Sequence, residues 1–300
     1  MAINKFYIKK WFKMMTGKSI LHVNQLKGSH FKLDSLEGYY NDLIEKVTKS
    51  NLAPNEIPIT ELPNGEKIEF SISIFQYGLG AYDLYLANND KKNLERFFTT
   101  VRWAVDNQDN NGGWKSFKEN EVNSYSAMAQ SEGVSLLLRA FKETKNKLYF
   151  DRATVAISLM LNDEKSGGCT QYIGDDVVLK EYPLKSIVLN GWIFSIFGLY
   201  DYLLVEKNEK IKNIYNQTIH SLKRQISKFD AKYWSKYDDD YKLASPFYHQ
   251  LHVELLDALY DITGEITFKK YANIFSDYSK KKSYKMKAFL KKSFQKIKEK

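Results

Sequence analysis

Four stretches of the chain share one pattern of apolar positions, each closing on an aromatic residue: QYGLGAYDLYL (76–86), AQSEGVSLLLRAFKE (129–143), FSIFGLYDYLL (194–204) and LHVELLDALYDITG (251–264). The closing aromatics Tyr82, Phe141, Tyr200 and Tyr260 recur about every sixty residues. A short polar break follows each of them, and then a second helical stretch, over 91–107, 147–162, 208–228 and 265–279. The first member of each pair is apolar nearly all round, whereas the second alternates with Lys, Asn and Glu, which fits an inner and an outer ring. Hairpins of this kind cannot bury their faces singly, so the repeat predicts an α/α toroid, an incomplete barrel of about four helical hairpins.

The connections divide the chain further. Residues 109–125 carry Asn110-Asn111-Gly112-Gly113-Trp114, a turn signal followed by an aromatic; residues 169–188 read as extended or hairpin-like around Gly174-Asp175; residues 229–248 are rich in Tyr, Asp and Trp, with Pro246 closing the connection just before the last inner helix. All three follow outer helices and lead into inner ones, so they are expected at one mouth of the toroid, where loops on a rigid scaffold carry function. Before the repeat, Leu36–Ser50 reads as one helix capped by Asp34 or Ser35, and 51–70, with three prolines and Asn64-Gly65, reads as an extended arm with a hairpin turn. The expected organisation is a basic arm, helix and hairpin over 1–69, a toroid over 70–279 and a basic amphipathic tail over 280–300.

Charge changes this picture only at the ends. The net charge is +9, but residues 280–300 hold ten lysines against one glutamate, residues 1–33 hold seven lysines and no acid, and the stretch between is net acidic. With no nucleic-acid signature, a basic sequence here implies no nucleic-acid groove. Phe6, Tyr7, Trp11, Phe12, Met14 and Met15 interleave with lysines, as do Tyr284, Met286, Phe289, Leu290, Phe294 and Ile297. Such ends suit either a terminal helix docked on the core or peripheral association with a membrane surface. The single Cys169 excludes an internal disulfide, and five histidines without an HExxH pair speak against a catalytic zinc. No apolar run approaches the roughly 20 residues of a membrane span. The expectation is a cytoplasmic protein, in part at the inner membrane face, and the Lys/Asn/Ile-rich composition points to a bacterium.

The strings YSAMAQ (125–130), KEYP (180–183), VLNGWIFSIFGLYD (188–201) and YHQLHVELLDALYDITG (248–264), in that order, resemble the carboxy-terminal helical domain of the D-glucuronyl C5-epimerase family. The likeness runs from about Phe70 to about Tyr278. It implies inversion of carbon 5 of glucuronate to iduronate within a polysaccharide or its lipid-linked precursor, without metal or cofactor, by removing a proton from one face and returning one to the other. The implied partners are an anionic polysaccharide and a second copy in a homodimer. Animal members carry a large β-rich region before this domain; here about 70 residues precede it.

Matched residue by residue, the resemblance places the catalytic tyrosines at Tyr182, Tyr237 and Tyr248, with Glu181 beside the first. Tyrosine suits both proton roles if its surroundings tune it. Tyr182 and Tyr248 are the expected opposed pair, and Tyr237 aids proton transfer or orientation. Substrate-binding candidates are Arg139, Lys180 and Lys185 as carboxylate clamps, His249 and His252 as donors, Tyr125 and Gln130 as cleft lining, and Trp114 and Trp234 as flat faces for sugar rings. Each has a structural alternative: Arg139 at helical spacing from Glu132 and Glu143, His249 and His252 as capping and core residues, Glu181 as a loop acid, Asp238-Asp239-Asp240 as a hydrated turn. A polysaccharide lyase, a glycoside hydrolase using Glu181 and Asp238, and a non-catalytic glycan-binding scaffold stay open as other readings.

Overall fold

The computed structural model describes residues 23–62, 64–116 and 123–298. The basic aromatic stretch containing Phe6, Tyr7, Trp11, Phe12, Met14 and Met15 lies outside them. Helices dominate, as the periodicity requires. The hairpin pairs are α2 (Ser71–Asn88) with α3 (Lys91–Asp106), α4 (Ala127–Thr144) with α5 (Lys147–Leu161), α6 (Leu189–Val205) with α7 (Glu209–Gln225), and α8 (Pro246–Thr263) with α9 (Ile266–Lys280). Ahead of them stand a short helix α1 (Ile44–Thr48) and the antiparallel pair β1 (Thr60–Glu61) and β2 (Lys67–Ile68); α10 (Lys282–Lys298) follows.

The inner helices pack in chain order, α2 on α4, α4 on α6 and α6 on α8, each backed by its outer partner. Local chemistry fixes their ends. Asp90, Ser126, Asn146, Asn208 and Ser245 cap helices by accepting from backbone amides, and Pro246 occupies the first turn of α8. Where α4 and α6 cross, Gly198 lets the backbones approach so closely that an added Cβ would sit 2.1 Å from Ser131 Oγ. That hydroxyl in turn accepts from the Gly198 amide at 2.9 Å and donates to the Phe194 carbonyl at 2.8 Å, so α4 and α6 are joined by a buried polar seam as well as by apolar packing.

The stretch 36–50 differs from its expected helix: only Ile44–Thr48 is helical. The amides and carbonyls that a helix would pair internally go elsewhere. Gly28 N–H donates to the Tyr40 carbonyl at 2.8 Å, Asp42 N–H to the Leu26 carbonyl at 2.8 Å, and Tyr39 N–H to the Asp83 carboxylate at 2.9 Å. Arg139 takes the carbonyls of Glu37 and Gly38 at 3.0 and 3.1 Å. Tertiary partners thus override local propensity. The result joins the first and last inner helices. Lys27 pairs with Asp257 and Asp261 of α8 at 2.7 and 2.9 Å, while Tyr39 and Tyr40, a few residues on, pack into the apolar core.

The 169–188 connection forms the expected hairpin, β3 (Thr170–Ile173) with β4 (Asp176–Leu179), turning at Gly174 with φ +55°. Among the described residues, no helix is long and apolar enough to cross a membrane.

Candidate active site

The hairpin delivers Glu181 and Tyr182 to the mouth of the ring. Lys180 N–H donates to the Cys169 carbonyl at 2.8 Å, and its own carbonyl accepts from Ala127 N–H at 2.9 Å, which ties the strand end to the start of α4. Beyond Tyr182 the chain turns sharply: Leu184 adopts a left-handed φ of +63°, and its amide donates to Glu164 at 2.5 Å. A branched residue held there is strained backbone, retained because its neighbours determine it.

The third connection is stitched to the second. Leu189 N–H donates to the Tyr237 carbonyl at 3.2 Å, Asp239 N–H to the Ile187 carbonyl at 3.0 Å, and Ile187 N–H to the Asp239 carboxylate at 2.8 Å. Tyr237 is thereby set against Tyr248, from the first turn of α8, with ring centroids 4.9 Å apart and planes at 64°. The hydroxyls of Tyr237 and Tyr182 and the Glu181 carboxyl form one directed chain: Tyr237 donates to Tyr182, and Tyr182 donates to Glu181. Each of the three tyrosines is half-buried as a residue, while burial dominates at the hydroxyls of Tyr237 and Tyr248.

The electrostatics favour protonated phenols here. The charge of Glu181, then burial, then Tyr248 drive the Tyr182 hydroxyl well above 10; burial does the same to Tyr237 and Tyr248. Burial pushes Glu181 up to about 7, against the Tyr182 hydrogen bond that favours its charged form. Its Oε2 atom is enclosed and has no hydrogen-bond partner in the protein. Gly191 in the first turn of α6 makes room for it, since a Cβ there would lie 2.4 Å from that oxygen.

A second buried carboxyl stands nearby. Glu132 on α4 is fully enclosed; one oxygen accepts from Gln76 Nε2 at 2.8 Å and Oε2 has no partner. Burial, opposed by Gln76 and by Lys46 and reinforced by Glu181, pushes it up to about 8. Lys46, buried on α1, is drawn down to about 8 by burial, with Glu132 acting against the shift. The sequence reading missed this group as a site feature. The available signal was a carboxylate and an amide, Glu132 and Gln76, on largely apolar inner helices that also carry other buried polar groups; Lys46 offered none.

The other candidates have structural duties. Arg139 is fully buried, paired to Asp201 at 2.6 Å and bonded to the carbonyls of Ser135, Glu37 and Gly38, so it fastens the ring through a carboxylate of the protein itself, and its ion partner is neither Glu132 nor Glu143. Lys180 is buried with its ammonium on the Lys185 carbonyl, stapling the Tyr182 turn. Trp114 is enclosed, its indole N–H on the Ala104 carbonyl at 2.8 Å; Gln130 brackets its backbone, accepting from the amide and donating to the carbonyl at 3.0 Å each. Tyr125, also buried, donates to Asp109 at 2.5 Å and anchors the first connection. Trp234 lies flat on His249 at 3.6 Å and donates to the Ala244 carbonyl, leaving no face for a sugar.

His249 and His252 are interior. His249 Nδ1 accepts from Ser235 N–H at 3.0 Å, which puts its proton on Nε2, directed to the Phe275 carbonyl at 3.0 Å; the Ser235 hydroxyl bridges the two histidines. Burial draws both down to about 3, so they are neutral and hold the Tyr237 loop in place. Lys185 remains at the site, its ammonium 6.0 Å from the Tyr182 ring centroid. Asp238, by contrast, is buried and accepts from Lys242 N–H at 3.0 Å and the Ser186 hydroxyl at 3.4 Å. It is a turn-stabilising carboxylate, not the open second acid that the hydrolase reading assigned to it.

Residues 101–277 match the family model described as D-glucuronyl C5-epimerase C-terminus. The D-glucuronyl C5-epimerase of Caenorhabditis elegans is 29% identical over 213 residues, 61% of this chain and 35% of that protein. An uncharacterized protein of Methanocaldococcus jannaschii is 23% identical over 202 residues, 65% of this chain and 62% of its own length. The chain thus spans about a third of the one relative and under two thirds of the other. Among solved structures, an unsaturated glucuronyl hydrolase specific for heparin aligns with a TM-score of 0.50 at 14% identity, covering 69% of this chain and 61% of that one. Cellobiose 2-epimerase from Spirochaeta thermophila aligns at 0.51 and 13%, covering 72% and 60%. At such identities the likeness is one of fold, an α/α toroid in each case.

Proposed function

Since the chain belongs to the D-glucuronyl C5-epimerase C-terminus family, we propose that it is a uronate 5-epimerase, acting on glucuronate residues of an anionic polysaccharide or its lipid-linked precursor. The observation that carries this reading is the directed chain from Tyr237 through Tyr182 to Glu181, with Tyr248 beside it.

Carbon 5 of a uronate is weakly acidic because its carboxylate can share the charge left behind. A base poised near neutral pH is therefore needed on one face and an acid on the other. Glu181, raised by burial to about 7, exchanges its proton near neutral pH. As Tyr182 takes the proton from carbon 5, its own hydroxyl proton passes to Glu181, so no free phenolate forms at a phenol whose pKa is driven far up. Tyr248 donates its hydroxyl proton to the opposite face and is recharged from solvent. Lys185, beside the Tyr182 ring, is the cation that meets the substrate carboxylate as charge spreads into it.

The test is product analysis of a panel of glucuronate polysaccharides, heparosan included, incubated with the protein in deuterated water. Iduronate signals with deuterium at carbon 5 are expected. An ultraviolet-absorbing unsaturated product without iduronate would make the protein a lyase; binding with no isotope change would make it a scaffold.

A further inference from the structure

The terminal helix α10 docks on the body by one face and leaves an apolar stripe on another. The docked side is Tyr284, Ala288, Lys292 and Gln295. The ring of Tyr284 packs on Tyr278 at 5.7 Å, Ala288 is buried with Trp234, Leu243 and Ala244, and Gln295 accepts from Leu243 N–H at 3.0 Å while donating to the Tyr241 carbonyl at 2.6 Å. At about 100° per residue, Met286, Leu290 and Phe294 fall roughly opposite this face. They are 61%, 50% and 63% exposed.

Exposed lysines flank the stripe on both sides, Lys282 and Lys285 on one and Lys291 on the other, where Lys287 also stands with its ammonium 4.1 Å from the Tyr233 ring centroid, and no acid occurs between Lys280 and Lys298. Large apolar side chains aligned in water mark a contact surface. Cations along both borders match a surface that is apolar inside and anionic at its skin. A soluble polyanion would engage the lysines and leave the apolar stripe in water. A second copy of this helix would bring like charges together.

We propose that α10 lies in the plane of an anionic lipid bilayer, with Met286, Leu290 and Phe294 inserted between headgroups and the flanking lysines on phosphates. Because α10 packs against residues 241–244 of the connection that carries Tyr237, the bilayer then lies beside the candidate active site. Access to lipid-linked substrate follows only under the epimerase reading; the bilayer contact does not depend on it.

Vesicle sedimentation of the full chain tests the contact. The wild type is expected to bind vesicles of phosphatidylcholine with phosphatidylglycerol and to be released by salt. The triple variant Met286→Ser, Leu290→Ser, Phe294→Ser, which keeps every charge, should lose affinity on the order of a hundredfold. Lys285→Gln with Lys291→Gln should lose roughly fivefold per lysine. Unchanged thermal melting of these surface variants would show that they fold. Failure of the wild type to bind anionic vesicles would overturn the proposal. So would undiminished binding by the triple variant, which would assign the lysines to a soluble polyanion instead.

Discussion

Two carboxyl groups enclosed by protein, Glu181 at about 7 and Glu132 at about 8, set the residue-scale chemistry. If ionised Glu181 receives the Tyr182 proton, kcat/KM should rise with pH through about 7 and then level. In Glu181→Gln that limb should vanish, with a loss of about 10²–10⁴ in rate; a pH–rate profile decides. Glu132 affects stability in a way whose sign is fixed. Its folded pKa lies above the unfolded value of about 4.3, so the folded state binds the extra proton and stability falls as pH rises between the two. Glu132→Gln keeps a group able to pair with Gln76 and removes that cost. Its stability gain over wild type should therefore grow by up to about 1.4 kcal/mol per pH unit from 5 to 7 and level off above about 8; a gain independent of pH in denaturant titrations would refute the assignment. Glu181 and the three tyrosines were legible through motif resemblance. The duties of Trp114, Trp234, His249 and Arg139 were not, because a sequence shows which groups are available without showing which neighbours already hold them.

At the scale of elements, the site depends on one close approach. Gly191 leaves the space into which the Glu181 carboxyl fits, so Gly191→Ala should displace that carboxyl and lower activity at least tenfold, with about 1–3 kcal/mol of stability lost to overpacking. Activity and melting of Gly191→Ala measured together test this; an unaltered enzyme would show that the carboxyl's seat is not critical. The inner and outer helices were readable because each buries a face of definite period. The segment 36–43 was not, since its backbone amides find partners in Leu26 and Asp83, far from it in sequence. Local propensity carries no record of such partners.

For the whole molecule, Arg139 and the segment around Lys27 hold the ring shut. Arg139 joins α4 to Asp201 on α6 and to the carbonyls of residues 37 and 38. Arg139→Met should strand the buried Asp201 charge and cost about 3–5 kcal/mol, read by denaturant unfolding, with no particular effect on substrate affinity in whatever folds. A rise in KM with unchanged stability would restore Arg139 as a substrate clamp. The repeat of apolar helices predicted the toroid, but not its closure by residues 24–48, because polar contacts between distant segments leave no period.

The central claim is that Tyr182, relayed to Glu181, and Tyr248 move the proton at carbon 5. It is tested most directly by solvent deuterium incorporation at that carbon, followed by NMR on a polymer the wild type converts, in wild type and in the double variant Tyr182→Phe, Tyr248→Phe. The account predicts incorporation by wild type and none by a double variant with native circular dichroism; incorporation by that folded variant at the wild-type rate would contradict it.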